Sequence, residues 1–196
     1  RVAWRDGAFA WTESSMADGP LTALAQRVAL PVEYVTEICR LAQVLIASLA
    51  AMLRRGALLF IDYGFPRHEY YHAQRQQGTL MCHYRQHAHD DPFLYPGLQD
   101  ITAHVDFTAA AEAGVAAGLQ LLGYCGQAQF LINCGITELL SRIPPQNVAA
   151  YVPLAAQAQK LLSPAEMGEL FKVLALGRGL PDALVGFARG DKRHTL

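Results

Sequence analysis

Residues 56–64, Gly56-Ala-Leu-Leu-Phe-Ile-Asp62-Tyr63-Gly64, form a short apolar segment that ends at an acidic residue, an aromatic residue and a glycine. The five consecutive apolar residues 57–61 predict a strand buried on both faces, as in the middle of a parallel sheet. The preceding residues 34–55 contain neither glycine nor proline, which predicts a long helix ending at Gly56. Because a helix followed by a buried strand is half of a βαβ unit, the sequence favours an α/β fold.

The carboxyl end of this predicted strand is the expected ligand site. In open α/β sheets, ligands bind just beyond the carboxyl ends of the strands, where Asp62 and Tyr63 fall. The Asp62 carboxylate can accept hydrogen bonds from a hydroxyl, an amine or a guanidinium, and Gly64 would let the backbone turn beside the ligand. The alternative is that Asp62 only caps the next turn.

The composition indicates a globular protein without a dominant electrostatic partner. The chain has 196 residues, 52% of them hydrophobic, which is ample for a core. Since 16 Lys and Arg balance 17 Asp and Glu, no overall field favours nucleic acid or an anionic membrane. No apolar run approaches the roughly 20 residues of a membrane span, and no signal-peptide layout opens the chain, so a cytoplasmic protein is expected. The four cysteines form no C-x-x-C pair and are expected to be buried free thiols.

The remaining segments predict a hairpin, two further strands and several helices. Asp6-Gly7 between apolar residues predicts a two-stranded ribbon over residues 1–11. Residues 119–125 and 170–176 suit an antiparallel pair at a sheet edge. Residues 65–106 are polar but contain many aromatic residues, so a connection of this length is expected to be functional. Helices are predicted over 107–121, 127–140 with a break near Gly135, and 148–162.

A histidine cluster lies within residues 65–106. It holds six of the seven histidines: His68, His72, His83, His87, His89 and His104. Two pairs have the i, i+4 spacing that places two imidazoles on one face of a helix, as a metal site needs. However, no H-E-x-x-H is present, so polar loop histidines are the preferred interpretation and no metal is expected. A metal-dependent hydrolase is the corresponding rival function.

A second polar pattern precedes the predicted helix at 107–121. In an extended chain, Asp100, Thr102, His104 and Asp106 would point the same way, and such an acidic face could clamp a guanidinium. Alternatively, Thr102 or Asp106 starts the helix as a cap. The sequence contains no G-x-G-x-x-G, G-x-x-x-x-G-K-[ST] or G-x-S-x-G, so neither a nucleotide loop nor a nucleophile elbow is predicted.

Several blocks, taken together and in order, resemble the MidA family of S-adenosylmethionine-dependent methyltransferases. The blocks are Asp62-Tyr63-Gly64, Gly78-Thr79-Leu80, Pro96-Gly97, Gln99 to Phe107, Gln129-Phe130-Leu131, Gly135 and Met167 to Lys172. The resemblance implies a Rossmann-like, seven-stranded methyltransferase fold with helical insertions and S-adenosyl-L-methionine as cofactor. For the mitochondrial members it also implies symmetric dimethylation of a protein arginine.

The resemblance also implies which part of the fold this chain represents. In that family a glycine-rich E-L-G-x-G loop, a ribose-binding acid and an N-E-x-x-D-A segment come earlier than these blocks, and the sequence contains none of them. Residues 1–196 are therefore expected to be the C-terminal part of one methyltransferase domain, lacking its N-terminal cofactor-binding strands. No cofactor-binding residue can be assigned. This agrees with the sheet expected from the residues, which has too few strands to cover so many apolar helices.

The expected substrate is a protein arginine, and residues 65–106 are expected to face it. Acids around a guanidinium would aim its lone pair and stabilise the developing charge. The candidate catalytic residues for this role are Asp62, Asp100, His104 and Asp106. The candidate substrate-binding residues are Tyr63, His87 and Gln99. The alternative is a catalytically silent methyltransferase-like domain that serves as an assembly or binding module. A homodimer is compatible with the sequence. The expected location is the cytoplasm in bacteria and the mitochondrion for eukaryotic relatives.

Overall fold

The structure, a computed structural model, describes residues 1–15, 19–31, 33–181 and 184–196. In chain order the first elements are β1 (Val2–Arg5), β2 (Ala8–Trp11), α1 (Pro20–Val28), α2 (Arg40–Met52), β3 (Gly56–Phe65), α3 (Arg67–Tyr70), β4 (Met81–Tyr84), β5 (His87–His89), β6 (Asp100–Thr102) and β7 (Val105–Asp106). The later elements are α4 (Phe107–Ala116), β8 (Gln120–Gly126), α5 (Gln127–Asn133), α6 (Ile136–Ser141), α7 (Val148–Leu162), α8 (Met167–Leu170) and β9 (Phe171–Arg178). The chain divides into two compact units: unit 1 comprises residues 1–38 and 71–104, and unit 2 comprises residues 39–70 and 105–196.

Unit 1 begins with the ribbon predicted at Asp6-Gly7. Its strands are antiparallel, with Trp4 opposite Phe9. Asp6 and Gly7 have φ values of 51° and 79°, the positive values that a two-residue type I′ turn requires at both central positions. The hairpin prediction is therefore confirmed.

A small antiparallel sheet with the strand order β5-β4-β6 forms the rest of the regular structure of unit 1. It lies inside the region 65–106, whose sequence showed no clear periodicity because these strands have only three or four residues each. His83 and His87 lie on the two neighbouring strands of a hairpin, with Tyr84 opposite His87, and so do not share a helix face. His72 follows α3 and caps a 3₁₀ turn, so the second histidine pair does not share a helix either.

The main sheet of unit 2 has the strand order β7-β3-β9-β8. β9 is antiparallel to both β3 and β8. This confirms the predicted antiparallel pair. The expectation that residues 57–61 lie in the middle of a parallel sheet is wrong, because β3 is antiparallel to β9 along this whole segment. β3 and β7 are parallel, but only through the pairs Gly64–Val105 and Phe65–Asp106. The sheet is therefore mixed, which agrees with the α/β class.

Two hydrophobic clusters cover opposite faces of this sheet. The first joins α2 and α4 to the sheet through Ile46, Ala50, Phe107, Ala110, Ala111, Leu119, Tyr124, Leu174 and Leu176. The second cluster holds Leu122, Cys125, Val173, Ala175 and Phe187, with Phe130 of α5 packed against it. Because side chains alternate between the faces of a strand, β9 contributes to both clusters and is the buried centre of the sheet.

The prediction that residues 57–61 are buried on both faces is wrong. Leu59 and Ile61 are 47% and 50% exposed, because the second cluster covers β8 and β9 but leaves β3 open. The strand also continues to Phe65, so Asp62 and Tyr63 lie within it rather than beyond its end. On the other side, α2 presents Leu41, Val44, Leu45 and Met52 to solvent.

Other sequence predictions are confirmed in part. The helix expected over residues 34–55 is shorter, because residues 34–38 belong to unit 1, where Val35 forms a β-bridge with Gln77. The helix over 148–162 and the break at Gly135, whose φ is 88°, are confirmed. Cys82 and Cys125 are buried as expected, but Cys39 and Cys134 are exposed. Within the described ranges, no helix is long and apolar enough to cross a membrane.

We expect Gly64→Ala to destabilise unit 2 by roughly 1–3 kcal/mol, the usual cost of overpacking. A Cβ at Gly64 would lie 2.2 Å from the Val105 carbonyl oxygen, and a backbone atom of a paired strand cannot move aside. Chemical denaturation measures the effect. The control is Gly126→Ala, where the nearest atoms are Glu169 Oε1 at 3.1 Å and the Gly168 carbonyl oxygen at 3.2 Å. A shift of a few tenths of an ångström would relieve these contacts, so the loss should be smaller. Equal losses in both variants would contradict this explanation.

Candidate functional site

Asp62 and Tyr63 lie near the carboxyl end of β3, where the sequence predicted a ligand site. The exposed Asp62 is paired in register with Lys172 of β9, and its Oδ1 accepts the Tyr63 N–H at 2.8 Å. The Tyr63 ring packs edge-on against Phe171, with the ring centroids 5.6 Å apart. Gly64 does not form a sharp turn beside a ligand; its missing side chain makes room for the backbone of β7.

Lys172 is the basic residue beside Asp62. Its side chain is only 14% exposed, and its Nζ donates a hydrogen bond to the Glu169 carbonyl oxygen. Burial lowers the pKa of Lys172, and the negative charge of Glu169 opposes this shift. Asp62 and Lys172 thus place opposite charges on neighbouring strands at this end of the sheet.

Asp106 ends β7 and caps α4. Its Oδ1 accepts the Ala109 N–H at 2.9 Å, which satisfies one of the free donors at the start of the helix. Its Oδ2 is buried and forms no hydrogen bond, although Arg67 Nε lies 3.7 Å away. Burial raises the pKa of the Asp106 carboxyl, while the Ala109 N–H and the Arg67 charge oppose the rise. The contacts of Asp106 are thus those of a helix cap, which was the alternative that the sequence left open.

Arg67 ties the end of β3 to α4. Its two terminal nitrogens donate to the two carboxylate oxygens of Glu112 at 2.7 and 2.6 Å, a bidentate pair. Its backbone N–H donates to Thr108 Oγ1 at 2.9 Å. Arg67 and Glu112 were not singled out from the sequence, because no motif relates residues so far apart in the chain.

Residues 100–106, for which one extended segment was expected, do not form a continuous strand. β6 stops at Thr102 and β7 begins at Val105, and the chain passes from unit 1 to unit 2 between His104 and Val105. Asp100 is exposed opposite His83, and Thr102 Oγ1 donates to the Met81 carbonyl oxygen at 3.2 Å. The interruption of the strand breaks the period of two on which the prediction rested.

His104 belongs to a network in unit 1 that centres on Glu37. The Glu37 carboxylate accepts the N–H groups of Thr79 and Leu80 and the Thr79 hydroxyl, each at 3.0 Å. Thr79 Oγ1 in turn accepts the His104 N–H at 3.0 Å. Gly78 has a φ of 77°, and a Cβ there would lie 2.2 Å from Glu37 Oε1. The block Gly78-Thr79-Leu80 therefore forms a backbone cradle for a carboxylate.

The two remaining candidates also lie in unit 1. His87 is exposed at the start of β5. Gln99 Nε2 donates to the carbonyl oxygens of Asp91 and Pro92, at 3.3 and 2.9 Å, so its visible role is to hold that loop. Thus Asp62, Tyr63 and Asp106 share unit 2, whereas the other four candidates share unit 1. Across the described ranges, no group of three His, Cys, Asp or Glu residues is arranged to hold a metal ion.

Comparison with known proteins gives relatives for most of the chain. A family model described as "Putative S-adenosyl-L-methionine-dependent methyltransferase" matches residues 2–125. Protein arginine methyltransferase NDUFAF7, mitochondrial, is 30% identical over 145 residues in Danio rerio and 33% identical over 147 residues in Mus musculus. Each match covers 71% of this chain but only 32% and 31% of the relative.

Two crystal structures from Burkholderia thailandensis resemble the whole chain. One is a candidate methyl transferase bound to S-adenosyl-homocysteine, with a TM-score of 0.95 and 55% identity. The other is a native structure of an uncharacterised protein of the same superfamily, with a TM-score of 0.94 and 55% identity. Each match covers 100% of this chain, but this chain spans only 51% of the first structure and 52% of the second.

The residues described here do not by themselves fit an adenosyl cofactor. At the carboxyl ends of β3 and β7, Arg67 pairs with Glu112 and lies beside the buried Asp106. The sequence contains no G-x-G-x-x-G loop, whose glycines would let the protein backbone come close to a bound cofactor. None of these residues is therefore assigned a contact with the cofactor.

We predict that Asp106→Ala destabilises the protein by about 1 kcal/mol through loss of the cap, whereas Asp106→Asn keeps it. The folded pKa of Asp106 is raised, so the wild type loses stability as the pH rises from the unfolded value of about 3.9 through the folded value. Asp106→Asn does not show this loss, because its side chain has no carboxyl group to ionise. Its stability relative to wild type should increase as the pH rises through this window, as measured by urea denaturation, and a pH-independent difference would contradict the assignment.

Loss of the Glu37 carboxylate should loosen the cradle around residues 78–80. Hydrogen bonds to a charged group contribute roughly 1.5–3 kcal/mol, so Glu37→Ala should speed amide exchange at Thr79 and Leu80 by roughly ten- to a hundredfold. In Glu37→Gln, which keeps one acceptor oxygen, the exchange rates at Thr79 and Leu80 should lie between those of the wild type and Glu37→Ala. Glu13→Ala, at an exposed acid of the same unit, serves as control. Unchanged exchange in Glu37→Ala would show that the cradle does not depend on this carboxylate.

Proposed function

The chain belongs to this family of S-adenosyl-L-methionine-dependent methyltransferases, and from this premise we propose that the protein methylates an arginine side chain of a protein substrate. Membership confirms the resemblance expected from the sequence and S-adenosyl-L-methionine as the cofactor. The observation that carries the proposal is the S-adenosyl-homocysteine-bound relative, which matches the whole chain at 55% identity. The location in the bacterial cytoplasm stays a prediction.

The arginine acceptor rests on weaker similarity. The NDUFAF7 relatives named as protein arginine methyltransferases are 30% and 33% identical to the chain, which spans about a third of their length. We take a protein arginine, dimethylated symmetrically, as the acceptor because the described acids suit a guanidinium. The rival, a catalytically silent binding module, predicts partner binding without a methylated product.

The protein residues have one main task in such a transfer. When bound, the cofactor supplies an electrophilic methyl group. The chain must then hold the guanidinium in line, exclude water and stabilise the charge that develops. In unit 2, we propose that the exposed carboxylate of Asp62 acts on the guanidinium. In unit 1, we propose Asp100, whose carboxylate is exposed, and His104 for the same class of role. Tyr63 and His87 are proposed substrate contacts.

Asp106 and Gln99 are proposed to act through other residues. Asp106 caps α4 with one oxygen and keeps the other buried, so we propose that it positions the carboxyl ends of β3 and β7. Gln99 holds the loop at Asp91 and Pro92 and is proposed to fix the substrate-facing surface of unit 1.

A further part of the proposal is that the sheet continues beyond β3 into a seven-stranded Rossmann-like sheet. Among the described residues, β3 pairs on its outer edge only through Gly64 and Phe65, which leaves residues 56–63 open. Leu59 and Ile61 on β3 and the apolar stripe on α2 remain exposed beside this edge. An unpaired edge flanked by apolar surface suits further parallel strands with their covering helices.

The test uses the protein expressed from its complete reading frame and a radiolabelled methyl donor. An extract of the cells that naturally produce the protein serves as the source of protein substrates. Labelled dimethylarginine after acid hydrolysis of the protein fraction is the expected result. Asp62→Asn and Asp100→Asn should each lower kcat by roughly a hundredfold if they stabilise the developing charge. Glu166→Gln, at an exposed acid in unit 2, is the control and should match wild type. Absence of labelled protein, with the cofactor product still bound, would contradict the proposal and favour the silent module.

A further inference from the structure

Four aromatic rings in unit 1 form a continuous surface, called here the aromatic face: Trp4, Phe9, Trp11 and Phe93. The ring of Trp4 packs edge-on against Phe9 with the centroids 5.0 Å apart. Phe93 lies 5.0 Å from Trp11 and 6.3 Å from Phe9, measured between ring centroids. The ribbon β1–β2 places its three rings on one side because Trp4 is opposite Phe9 and Val2 is opposite Trp11.

The indole rings of this face are open to solvent. Trp4 is 64% exposed and Trp11 is 60% exposed, although each touches another ring. Large exposed aromatic side chains that are already clustered mark an interaction surface more often than a core. The cluster is ordered by its own ring contacts, so a ligand would meet a preformed surface.

The Asp91 carboxylate borders the aromatic face at Phe93. Asp90 and Asp91 are both exposed, and Asp91 Oδ1 accepts the N–H of Phe93 at 2.8 Å, which places this carboxylate beside the aromatic loop. Gln99 Nε2 donates to the Asp91 and Pro92 carbonyl oxygens and thereby fixes the same loop. The Asp91 carboxylate and the Phe93 ring are thus held next to each other before any ligand arrives.

Two arginines of unit 1, Arg5 and Arg85, are turned away from the aromatic face or engaged elsewhere. Arg5 lies on the opposite side of the ribbon from Trp4 by strand alternation, and its Nη2 donates to Thr12 Oγ1 at 3.2 Å. Arg85 stacks on Tyr84, with 5.4 Å between its guanidinium carbon and the ring centroid. The surface therefore combines exposed π faces with negative charge, which is complementary to a cation.

We propose that the aromatic face and Asp91 bind an arginine-bearing segment of the protein substrate. A guanidinium stacks on an indole face through cation–π attraction while a neighbouring carboxylate accepts its N–H groups. Arginine fits this pair better than lysine, because the guanidinium is planar, is more weakly hydrated and donates in a fork. The proposal rests on the proposed function, since it assigns the surface that recognises the same acceptor class.

The probe is a short neutral-ended peptide with two arginines separated by glycine, compared with its lysine and citrulline versions. Trp4 and Trp11 are the two tryptophans of the chain, so indole fluorescence reports on this surface. The arginine peptide should change the emission saturably. The citrulline peptide, which lacks the charge, should not, and the lysine peptide should bind more weakly.

Three variants test the residues. Trp4→Leu and Trp11→Leu should each raise Kd for the arginine peptide about two- to fivefold, the range expected for one exposed cation–π contact. Asp91→Asn keeps an acceptor for the Phe93 N–H but removes the charge, so it should raise Kd and flatten the salt dependence. Glu166→Gln, an exposed acid in unit 2, is the matched control.

Equal affinity for the citrulline peptide, or unchanged Kd in all three variants, would overturn the proposal. Methylation assays keep it separate from the proposed function. If arginine methylation occurs but the KM of the Trp4→Leu and Trp11→Leu variants equals that of wild type, this surface is wrong and the function stands. If the peptides bind as expected but no protein is methylated, the surface stands and the function fails.

Discussion

The close approach of β7 to β3 at Gly64 is the constraint on which the arrangement of unit 2 depends. A side chain at this position would collide with the Val105 carbonyl oxygen, so a glycine is needed for the two strands to pair. Asp106, which pairs with Phe65, immediately precedes α4, and its carboxylate caps that helix. Because α4 also packs in the first hydrophobic cluster through Phe107, the strand pairing and this packing together hold the start of the helix against the sheet.

A comparable anchor orders unit 1, although it is a charge rather than a close contact. The Glu37 carboxylate accepts hydrogen bonds from the backbone N–H groups of Thr79 and Leu80. The Thr79 hydroxyl oxygen in turn accepts a hydrogen bond from the His104 N–H. A carboxylate that accepts several hydrogen bonds joins distant segments firmly, because each bond to a charged acceptor is stronger than one between neutral groups. The short strands of this unit have little core of their own, so such anchors matter more there than in unit 2.

Local chemistry made several parts of the fold predictable. The Asp6-Gly7 turn, the break at Gly135 and the helix over 148–162 each follow from residues that are neighbours in sequence. The burial of β3 was not predictable, because five consecutive apolar residues do not reveal which face of a strand is covered. The sheet β5-β4-β6 was missed since its strands are too short for a period of two to emerge. For Asp106 the sequence left a catalytic role and a helix cap open, and its contacts are those of the cap. The contacts of Arg67 and Glu37 could not be predicted, because their partners are distant in the chain.

The central proposal is that this chain supplies one part of a methyltransferase, and that the sheet and the cofactor site of the enzyme extend beyond the open edge of β3. The most direct measurement is a calorimetric titration of S-adenosyl-homocysteine into the 196-residue chain and into the protein from its complete reading frame. The account predicts saturable binding, with one cofactor per chain, by the complete protein and much weaker binding by the 196-residue chain. Absence of binding by both would contradict it, and equally tight binding by both would show that the described residues form the site unaided.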